Sequence, residues 1–478
     1  MTADLDVLIL GAGLSGIGAA SHLTRRHPAT TYAVLEARAA SGGTWDLFRY
    51  PGIRSDSDMF TLGYRFRPWT GATALAEGRA VLDYVRETAR EYGVERHIRY
   101  DHRVVTAEWD RGAARWTVTV ETGGGTRQLT CAFLWSCTGY YDYERGHQPE
   151  LPGLDDFAGD VVHPQHWPED FDHAGKRVVV IGSGATAVTL VPALAETAAH
   201  VTMLQRSPTY ILSVPSEDGL ASRLGRVLPD RAAYTATRWK NILVAGALYR
   251  LSRKRPQLVR RLIRRATVAA VPGVDVDTHF NPRYDPWDQR LCLVPDGDLF
   301  RALRRGTAEV VTDTIEALTP AGIRLTSGAE LEADAVVLAT GLRLKPFGGI
   351  RLVVDGDEVK LPHTMAYRAL MLSGVPNFAF TIGYTNASWT LKVDIVGDYV
   401  CRLLSHLQEH GLREVVPVRD DSLAEEPFLD FRAGYVLRAL DQLPVQGARE
   451  PWRLRQSYLH DVRTIRSAPI DDGALAFR

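Results

Sequence analysis

The sequence predicts an α/β fold in which one strand–loop–helix pattern occurs twice. An apolar stretch at residues 5–10 precedes a glycine-rich turn and a helical segment, and residues 177–181 begin the same arrangement again. A chain of 478 residues is also too long for one ordinary core. We therefore expect two Rossmann-like dinucleotide-binding domains, with the second inserted into the first.

The first copy of the pattern is followed by segments that predict the rest of its domain. The helix after the glycine turn extends to about residue 25, and an apolar stretch at 31–35 completes a βαβ unit. Hydrophobic periodicity then predicts an amphipathic helix at 79–92 and strands at 104–109, 116–120 and 133–137. The strands at 104–109 and 116–120 alternate as antiparallel strands do, and a glycine-rich turn is expected at 123–125.

Composition suggests where one domain gives way to the other. Residues 146–156 are rich in Pro, Gly and Asp, which is typical of an interdomain crossing. We predict one domain from residues 1–146 and 334–478 and a second domain from residues 147–333. Periodicity predicts further strands at 201–204, 323–325, 335–338 and 377–382, and a long helix at 390–407.

A basic, helix-prone segment at about residues 215–272 interrupts the repeat. Apolar residues such as Trp239 and Leu243 are interspersed among its many arginines. Its apolar side could pack on the second domain while the arginines are solvated, or the segment could contact an anionic membrane surface. Solvated arginine-rich helices are the more common case. No run of about 18 apolar residues predicts a spanning helix.

Composition and charge exclude several classes of protein. The formal net charge of −1 gives no global field that would favour nucleic acid, and no nucleic-acid module is visible. Four cysteines in a chain of this length do not form a disulfide framework, and the N-terminus lacks a basic leader, so we expect a cytoplasmic protein. No Cys/His spacing is typical of a metal site, and no metal is expected. The oligomeric state is left open.

The first glycine loop, residues 11–16, has the spacing of a dinucleotide cradle. Gly11 permits the tight turn, Gly13 lets a pyrophosphate approach the backbone, and Gly16 allows close packing of helix on strand. The N-terminus of the helix offers unpaired N–H groups and the positive end of its dipole. Glu36 ends the next strand, where a carboxylate can accept hydrogen bonds from ribose hydroxyls.

The second glycine loop, residues 182–187, differs at the end of its second strand. Gln205, Arg206 and Ser207 stand there, and no acid does. A carboxylate would repel a 2′-phosphate, whereas a guanidinium can bind one with two hydrogen bonds. This loop therefore predicts a site that prefers NADPH to NADH.

Between the loops lies the segment 157–168, which carries a family fingerprint. Its sequence fits Phe-x-Gly-x-x-x-His-x-x-x-Trp-Pro through Phe157, Gly159, His163 and Trp167. With both loops, it resembles the type I Baeyer–Villiger monooxygenases, a group of class B flavoprotein monooxygenases. Further stretches are similar to the same family: Gly42-Gly43-Thr44-Trp45, Arg49-Tyr50-Pro51-Gly52, Ala339-Thr340-Gly341 and residues 384–389. The last of these, together with the stretches at 286–290 and 451–453, resembles the bacterial subgroup that includes a mycobacterial thioamide-activating monooxygenase.

The resemblance implies an enzyme that uses FAD, NADPH and O2. It would insert one oxygen atom next to a ketone carbonyl, through a C4a-peroxyflavin, to give an ester or lactone. The resemblance assigns FAD to the first domain and NADP to the second. The related alternative is an S- or N-oxygenating enzyme acting on sulfides, thioamides or amines. The sequence does not identify the ketone.

The resemblance also implies roles for particular residues. Arg290 would be the fixed cation that stabilises the anionic oxygen adduct, with Asp56 as its counter-charge, and His163 would be conformational and not an acid or base. The expected FAD-binding residues are Gly11, Gly13, Ser15, Gly16, Glu36, Gly43, Thr44, Trp45, Tyr50, Asp56 and Asn386. The expected NADP-binding residues are Gly182, Ser183, Gly184, Ala185, Thr186, Arg206, Ser207, Thr340 and Gly341.

One position departs from the family pattern, and two other classes of function stay open. Several family members have Lys where this chain has Gln289, which removes one charge that would help to hold the 2′-phosphate. A pyridine-nucleotide disulfide reductase would need a redox pair, and Cys131 and Cys137 are more simply two buried structural cysteines. A flavin-binding sensor without catalytic activity would have no use for the Arg290–Asp56 couple.

Overall fold

The structure is a computed structural model that describes residues 4–289 and 291–478. It confirms the predicted α/β class with two Rossmann-like units. Each unit has its own sheet and its own core, and the strands of the second unit lie between segments of the first in the sequence.

The first sheet is organised around the strand Asp4–Leu10. This strand pairs in parallel with Tyr32–Leu35 on one side and with Gly125–Ser136 on the other. Because alternate side chains point to opposite faces, Val7 and Ile9 enter one core while Leu8 and Leu10 enter another. Its other strands are Ile98–Arg99, Arg103–Asp110, Arg115–Thr122, Arg351–Val354, Asp357–Glu358 and Phe378–Phe380.

Helices cover one face of the first sheet and the C-terminal segment covers the other. The helices Leu14–Arg26, Gly78–Glu91 and Trp389–Glu409 supply the first core with residues such as Ile17 and Val396. The C-terminal segment contains only short elements, yet Phe428 and Phe431 are buried in the second core. These elements are Val415–Pro417, Glu425–Pro427, Gly434–Leu437, Val445–Gly447, Tyr458–Asp461 and Leu475–Phe477.

The second sheet is entirely parallel in the described residues. Its strands are, in spatial order, Ala308–Thr312, His200–Gln205, Arg177–Ile181, Ala335–Leu338 and Asp160–Val162. The helices Ala185–Leu194 and Asp298–Arg305 pack on it. Short strands accompany this sheet: Ile211–Val214, Cys292–Pro295, Ile315–Thr319, Gly322–Leu325 and Glu330–Glu332.

One predicted domain boundary is wrong. Ala335–Leu338 was expected to begin the return of the first domain, but it pairs with Arg177–Ile181 and Asp160–Val162 in the second sheet. An apolar strand of four residues carries no local sign of which sheet it joins, because that choice depends on partners far away in the sequence. The chain therefore returns to the first domain only after residue 338.

The basic segment forms three helices, Gly219–Leu224, Asp230–Lys254 and Pro256–Ala270. It was expected to pack on the second domain, and the third helix does so through Val259 and Ile263. The long helix Asp230–Lys254 instead packs on the first domain, where Arg238 donates to the carbonyl oxygen of Phe60 at 2.8 Å. None of the helices in residues 4–289 and 291–478 is long and apolar enough to cross a membrane.

Candidate cofactor and active site

The two glycine loops share one backbone geometry. Gly11 has φ +96° and Gly182 has φ +132°, values that favour glycine. A Cβ atom would lie 2.8 Å from the carbonyl oxygen of Cys137 at Gly11, and 2.3 Å from that of Ala339 at Gly182. Both helices that follow begin without a side-chain cap in the described chain, so their N-terminal N–H groups are available to an anion.

The first loop is tightly enclosed. A Cβ atom on Gly16 would lie 1.8 Å from the carbonyl oxygen of Gly11, so the helix can approach the strand only with glycine there. Gly13 faces Gly43, whose Cα would lie 3.4 Å from a Cβ on Gly13. The two glycines therefore leave a narrow passage with backbone on both sides.

Glu36 lies at the base of this passage. Its carboxylate accepts hydrogen bonds from the backbone N–H groups of Ala12 at 2.8 Å and Arg38 at 3.0 Å. Burial raises the pKa of Glu36, although the two N–H donors oppose the shift. Each carboxylate oxygen has a second lone pair, so the group can still accept from a ligand hydroxyl.

A cavity of about 620 Å³ opens beside the first loop. Its size is within the range of sites that bury a cofactor. The residues expected at FAD that line it are Gly11, Gly13, Ser15, Glu36, Gly43, Thr44, Trp45 and Asp56. This cavity, called the first cavity below, fits a dinucleotide because the glycine passage, the helix N-terminus and the buried acid face the same space.

Three residues expected at FAD do not line the first cavity. Gly16 lies behind the loop. The side-chain amide of Asn386 donates to the carbonyl oxygen of Gln456 at 2.9 Å, and the next residue, Ala387, lines the first cavity. Tyr50 is buried in the core of the second domain and hydrogen bonds to the side chain of Thr186. The turn at 48–52 carries this ring across the domain border, and a contact of Tyr50 with FAD stays a prediction.

Aromatic residues from three segments complete the wall. The Tyr143 hydroxyl hydrogen bonds to that of Thr44 at 2.9 Å, and the Trp389 indole N–H donates to the Ser15 hydroxyl at 2.7 Å. The rings of Tyr140 and Trp389 are 5.1 Å apart. No local pattern in the sequence indicates that Trp389 reaches the first loop.

A buried ionic cluster behind the first cavity was missed by the sequence analysis. Tyr384, a wall residue, donates to the carboxylate of Asp461 at 2.6 Å, and the Lys392 ammonium binds the same oxygen at 2.7 Å. Lys392 is 1% exposed and Asp461 is 4% exposed. The partners are 69 residues apart, so no local pattern could have paired them.

The second loop is open. The described residues place nothing within 4 Å of a Cβ built on Gly184, and Gly184 is exposed. The Ser183 hydroxyl hydrogen bonds to that of Thr209 at 2.9 Å and to the carbonyl oxygen of Ser207 at 3.2 Å. Arg206 is exposed at the end of the strand, while Gln205 turns inward and donates to the carbonyl oxygen of His279 at 2.7 Å.

The other residues expected at NADP lie around this open loop. Ala185 and Thr186 begin its helix and are partly exposed. Thr340 and Gly341 follow the neighbouring strand, and the Thr340 hydroxyl donates to the carbonyl oxygen of His147. The structure thus brings the expected residues to one edge of the second sheet.

The fingerprint segment 157–168 connects the two sites. Phe157 is buried in the second domain, and a Cβ on Gly159 would lie 2.6 Å from its ring and 2.4 Å from the carbonyl oxygen of Asp334. Further along, the Gln165 amide donates to the carbonyl oxygen of Asp142 at 2.8 Å. The segment is therefore fixed in the second domain at one end and bonded to a wall of the first cavity at the other.

The side chains of His163 and Trp167 are packed closely against neighbouring residues. A Cβ on Gly146 would lie 2.0 Å from the His163 ring, and the His163 Nδ1 atom accepts from the backbone N–H of Gln165 at 3.2 Å. Burial lowers the pKa of His163. The Trp167 ring packs on that of Phe171 at 5.3 Å. Burial therefore favours the neutral imidazole, and a conformational role for His163 stays a prediction.

Comparisons with known proteins agree with these two sites. The flavin-binding monooxygenase-like family profile matches residues 74–240, and that of an NAD(P)-binding Rossmann-like domain matches residues 9–83. The chain is 57% identical over 480 residues to the FAD-containing monooxygenase EthA of Mycobacterium tuberculosis, covering all of this chain and 98% of EthA. It is 48% identical over 481 residues to the probable FAD-binding monooxygenase AlmA of Acinetobacter baylyi, covering all of this chain and 97% of AlmA.

This chain belongs to the FAD-containing monooxygenases. The predicted cofactors, FAD and NADP(H), are confirmed, and so is a flavin-dependent monooxygenase activity. Among solved structures, an oxidised steroid monooxygenase bound to NADP is 25% identical with a TM-score of 0.74, covering 87% of this chain and 88% of that chain. A cyclohexanone monooxygenase in its open form, 20% identical with a TM-score of 0.74 over 87% of this chain and 90% of that one, shares the fold.

In this family setting, the cysteines do not favour disulfide chemistry. Cys131, Cys137, Cys292 and Cys401 are all buried, and none of them forms a disulfide bond within the described residues. Cys131 and Cys137 are six residues apart along an extended strand, which separates them by about 20 Å. Burial raises the pKa of the Cys137 thiol to about 12, so it carries no thiolate at neutral pH.

Of the expected pair of Arg290 and Asp56, only Asp56 lies within the described residues. Asp56 lines the first cavity, as a counter-charge beside the flavin would. Arg290 lies outside the described residues, so its pairing with Asp56 stays a prediction. Gln289, the departure from the family pattern, follows Asp288, whose carboxylate binds the Arg253 guanidinium at 2.6 Å.

Proposed function

We propose that this enzyme is a Baeyer–Villiger monooxygenase, which uses FAD, NADPH and O2 to insert an oxygen atom beside a ketone carbonyl. The observation that carries the proposal is the placement of the fingerprint segment 157–168, which packs on the second domain at Gly159 and hydrogen bonds to the wall of the first cavity at Gln165. The likeness to a steroid monooxygenase at 25% identity supports the same chemistry.

In this proposal each domain holds one cofactor. The first cavity holds FAD through the helix N-terminus at Ser15 and the buried carboxylate of Glu36. The second loop holds NADPH, with Arg206 on the 2′-phosphate. When bound, reduced FAD supplies the two electrons that activate O2.

In this proposal Asp56 and Arg290 stabilise the negative charge that develops on oxygen. The guanidinium of Arg290 would stabilise negative charge on oxygen, and it cannot donate away its proton at working pH. Asp56 would hold that guanidinium in place and offset the cost of burying it. The aromatic wall at Tyr140, Tyr143 and Trp389 would keep water from this space, which strengthens both interactions.

The fingerprint segment would couple the two sites. Gln165 donates to Asp142 in the wall of the first cavity, and His166 approaches the carbonyl oxygen of Glu144 at 3.2 Å. A small shift of the second domain when NADP binds or leaves would therefore move a wall of the flavin site. In this role His163 and Gln165 are positioning residues.

The test is a product analysis with purified holoenzyme. Linear, cyclic and aryl ketones and a thioether are each incubated with NADPH, and ester, sulfoxide, NADPH consumption and peroxide are quantified together. Ester or lactone formed in proportion to NADPH supports the proposal. Sulfoxide from the thioether with no ester from any ketone would overturn it in favour of heteroatom oxygenation.

A variant isolates the role of Arg290. Arg290→Ala should leave anaerobic reduction of FAD by NADPH intact, while ester formation falls roughly 100-fold or more and peroxide takes its place. Arg250→Ala, which removes an exposed arginine of the long helix, should leave both steps unchanged. Ester formation by Arg290→Ala at the wild-type rate would remove this residue from its proposed role.

A further inference from the structure

A second cavity lies on the far side of the first domain from the glycine loop. Its volume is about 320 Å³, at the lower end of the range for small-molecule sites. The helices Leu14–Arg26 and Asp230–Lys254 form two of its walls. The first loop and this cavity lie at opposite ends of Leu14–Arg26, about 18 Å apart at 1.5 Å per residue.

Six guanidinium groups line this space, which is called the arginine cavity below. They belong to Arg25, Arg26, Arg65, Arg231, Arg238 and Arg466. They come from distant parts of the sequence, so the fold alone brings them together. Converging like charges repel strongly where water is partly excluded, and such an arrangement requires counter-charge.

Two buried carboxylates supply part of that counter-charge. Asp398 binds Arg26 at 2.5 Å, Arg466 at 2.8 Å and Arg65 at 3.3 Å. Asp394 binds Arg238 at 3.1 Å. Six guanidiniums against two carboxylates leave an excess of four positive charges in the described residues around the cavity.

Two of the six arginines carry positive charge that no carboxylate of the described residues pairs with. Arg25 and Arg231 form no ion pair with a carboxylate in the part of the chain that the structure describes. The Arg25 guanidinium lies over the ring of Phe66 at 4.9 Å, and both arginines are exposed. Their N–H donors are thus available to an incoming anion.

His22 provides an independent observation. It lines the arginine cavity and is 1% exposed, with its Nε2 atom 3.3 Å from Asp394. Its Nδ1 atom is buried and has no hydrogen-bond partner among the described residues; the nearest carboxylate oxygen, on Asp398, is 3.7 Å away. A buried polar atom of this kind is usually satisfied by water or by a ligand.

We propose that the arginine cavity binds a phosphate-bearing ligand. Phosphate carries up to two negative charges and accepts paired hydrogen bonds from planar guanidiniums, which matches several arginines around one space. Trp239 and Tyr458, with ring centroids 6.2 Å apart, form an aromatic rim for the rest of the ligand. The site is separate from both cofactor loops and is not needed for the oxygenation chemistry proposed above.

The phosphate could belong to a soluble ester or to a lipid headgroup. Trp239 lines the cavity and is 41% exposed, and Leu243 and Val244, one turn further along the same helix, are 49% and 61% exposed, so exposed apolar side chains continue along this helix from the cavity. A headgroup bound by the arginines would set this surface against the acyl region of a bilayer. The ligand chemistry is the same in both cases, and two experimental arms separate the sources.

The first arm measures binding of inorganic phosphate and pyrophosphate to the holoenzyme by calorimetry. FAD is bound and NADP+ is saturating, so the cofactor phosphate sites are filled, and chloride keeps the ionic strength constant. Wild type should bind, and Arg25→Ala and Arg231→Ala should each weaken binding about tenfold, as expected for one lost charge-assisted contact. Arg250→Ala, an exposed arginine on the same helix away from the cavity, is the matched control.

The second arm measures co-sedimentation with vesicles. Vesicles of phosphatidylcholine alone are compared with vesicles of equal parts phosphatidylcholine and phosphatidylglycerol. Binding to the anionic vesicles that is lost in Arg231→Ala and kept in Arg250→Ala identifies a lipid headgroup as the source. Binding in the soluble arm alone identifies a soluble phosphate ester.

Two results would overturn the proposal. Absence of binding in both arms would leave the arginines as an ionic network that only stabilises the fold around Asp394 and Asp398. Equal weakening by Arg231→Ala and Arg250→Ala would indicate a diffuse basic surface without a defined site.

Discussion

The two glycine loops have the same backbone conformation, but the first is enclosed by neighbouring residues and the second is open to solvent. Gly11 and Gly182 make the same positive-φ turn against the carbonyl oxygen that follows the neighbouring strand. The first loop is then closed by Gly43, Trp389 and the aromatic wall, whereas the second leaves Gly184 and Arg206 open. One fold thus provides an enclosed site and an open one, which the proposed function assigns to FAD and to NADPH.

The difference comes from what surrounds each loop. The segment 42–45, the loop at 139–144 and the helix Trp389–Glu409 all converge on the first loop. A flavin that stays bound through every turnover benefits from such burial, while a nicotinamide that must leave requires an exposed edge. The experiments below test this contrast, beginning with the largest expected effect.

The largest effect is expected from one methyl group placed in each loop. Gly16→Ala would put Cβ 1.8 Å from the carbonyl oxygen of Gly11, so we expect loss of bound FAD and of folded protein. At Gly184 the backbone φ is −79°, and nothing described lies within 4 Å of an added Cβ. Gly184→Ala should therefore fold and retain FAD, and only its KM for NADPH should change. Flavin absorbance per protein measures the contrast, and equal FAD content in both variants would contradict it.

A large loss of stability is expected behind the first cavity. Lys392→Met would leave Asp461 buried without its cation, which should cost roughly 3–5 kcal/mol of unfolding free energy. Adding Asp461→Asn should restore part of that loss. Denaturant unfolding of the two variants measures it. If Lys392→Met alone were as stable as wild type, the pair of Lys392 and Asp461 would not stabilise the structure behind the first cavity.

At the second loop the expected effect is on specificity. Arg206→Ala should lower the ratio of kcat/KM for NADPH over NADH by about tenfold to a hundredfold, because a charge-assisted bond to the 2′-phosphate is lost. Arg206→Lys should keep part of the preference. Steady-state kinetics with both nucleotides provides the ratio, and a ratio unchanged in Arg206→Ala would remove Arg206 from this role.

The smallest effect concerns pH and the fingerprint segment between the loops. Burial lowers the pKa of His163, so the neutral ring stabilises the fold above its ordinary pKa of about 6.5, and this contribution is lost as pH falls through the lowered value. His163→Gln should therefore lose less thermal stability than wild type between pH 7.5 and pH 5. Melting curves across this range are the measurement, and parallel pH profiles would show that His163 is not the group responsible.

Much of the cofactor apparatus was visible in the sequence because it is local. The strands, turns and helices of both loops were predicted from glycine spacing and apolar runs within about 25 residues, and eight of the residues expected at FAD line the first cavity. The ring of Tyr50 packs beside Thr186 in the other domain, a placement that no local pattern around residue 50 indicates.

The sequence by itself determined the class of fold, the two cradles and the absence of an acid after the second one. Tertiary structure alone decided that Ala335–Leu338 joins the second sheet, that Lys392 meets Asp461, and that arginines from residue 25 to residue 466 line one cavity. The physical reason is the range of the interactions. Backbone turns and periodic burial depend on neighbouring residues, whereas strand pairing and buried ion pairs depend on partners that only the folded chain brings together.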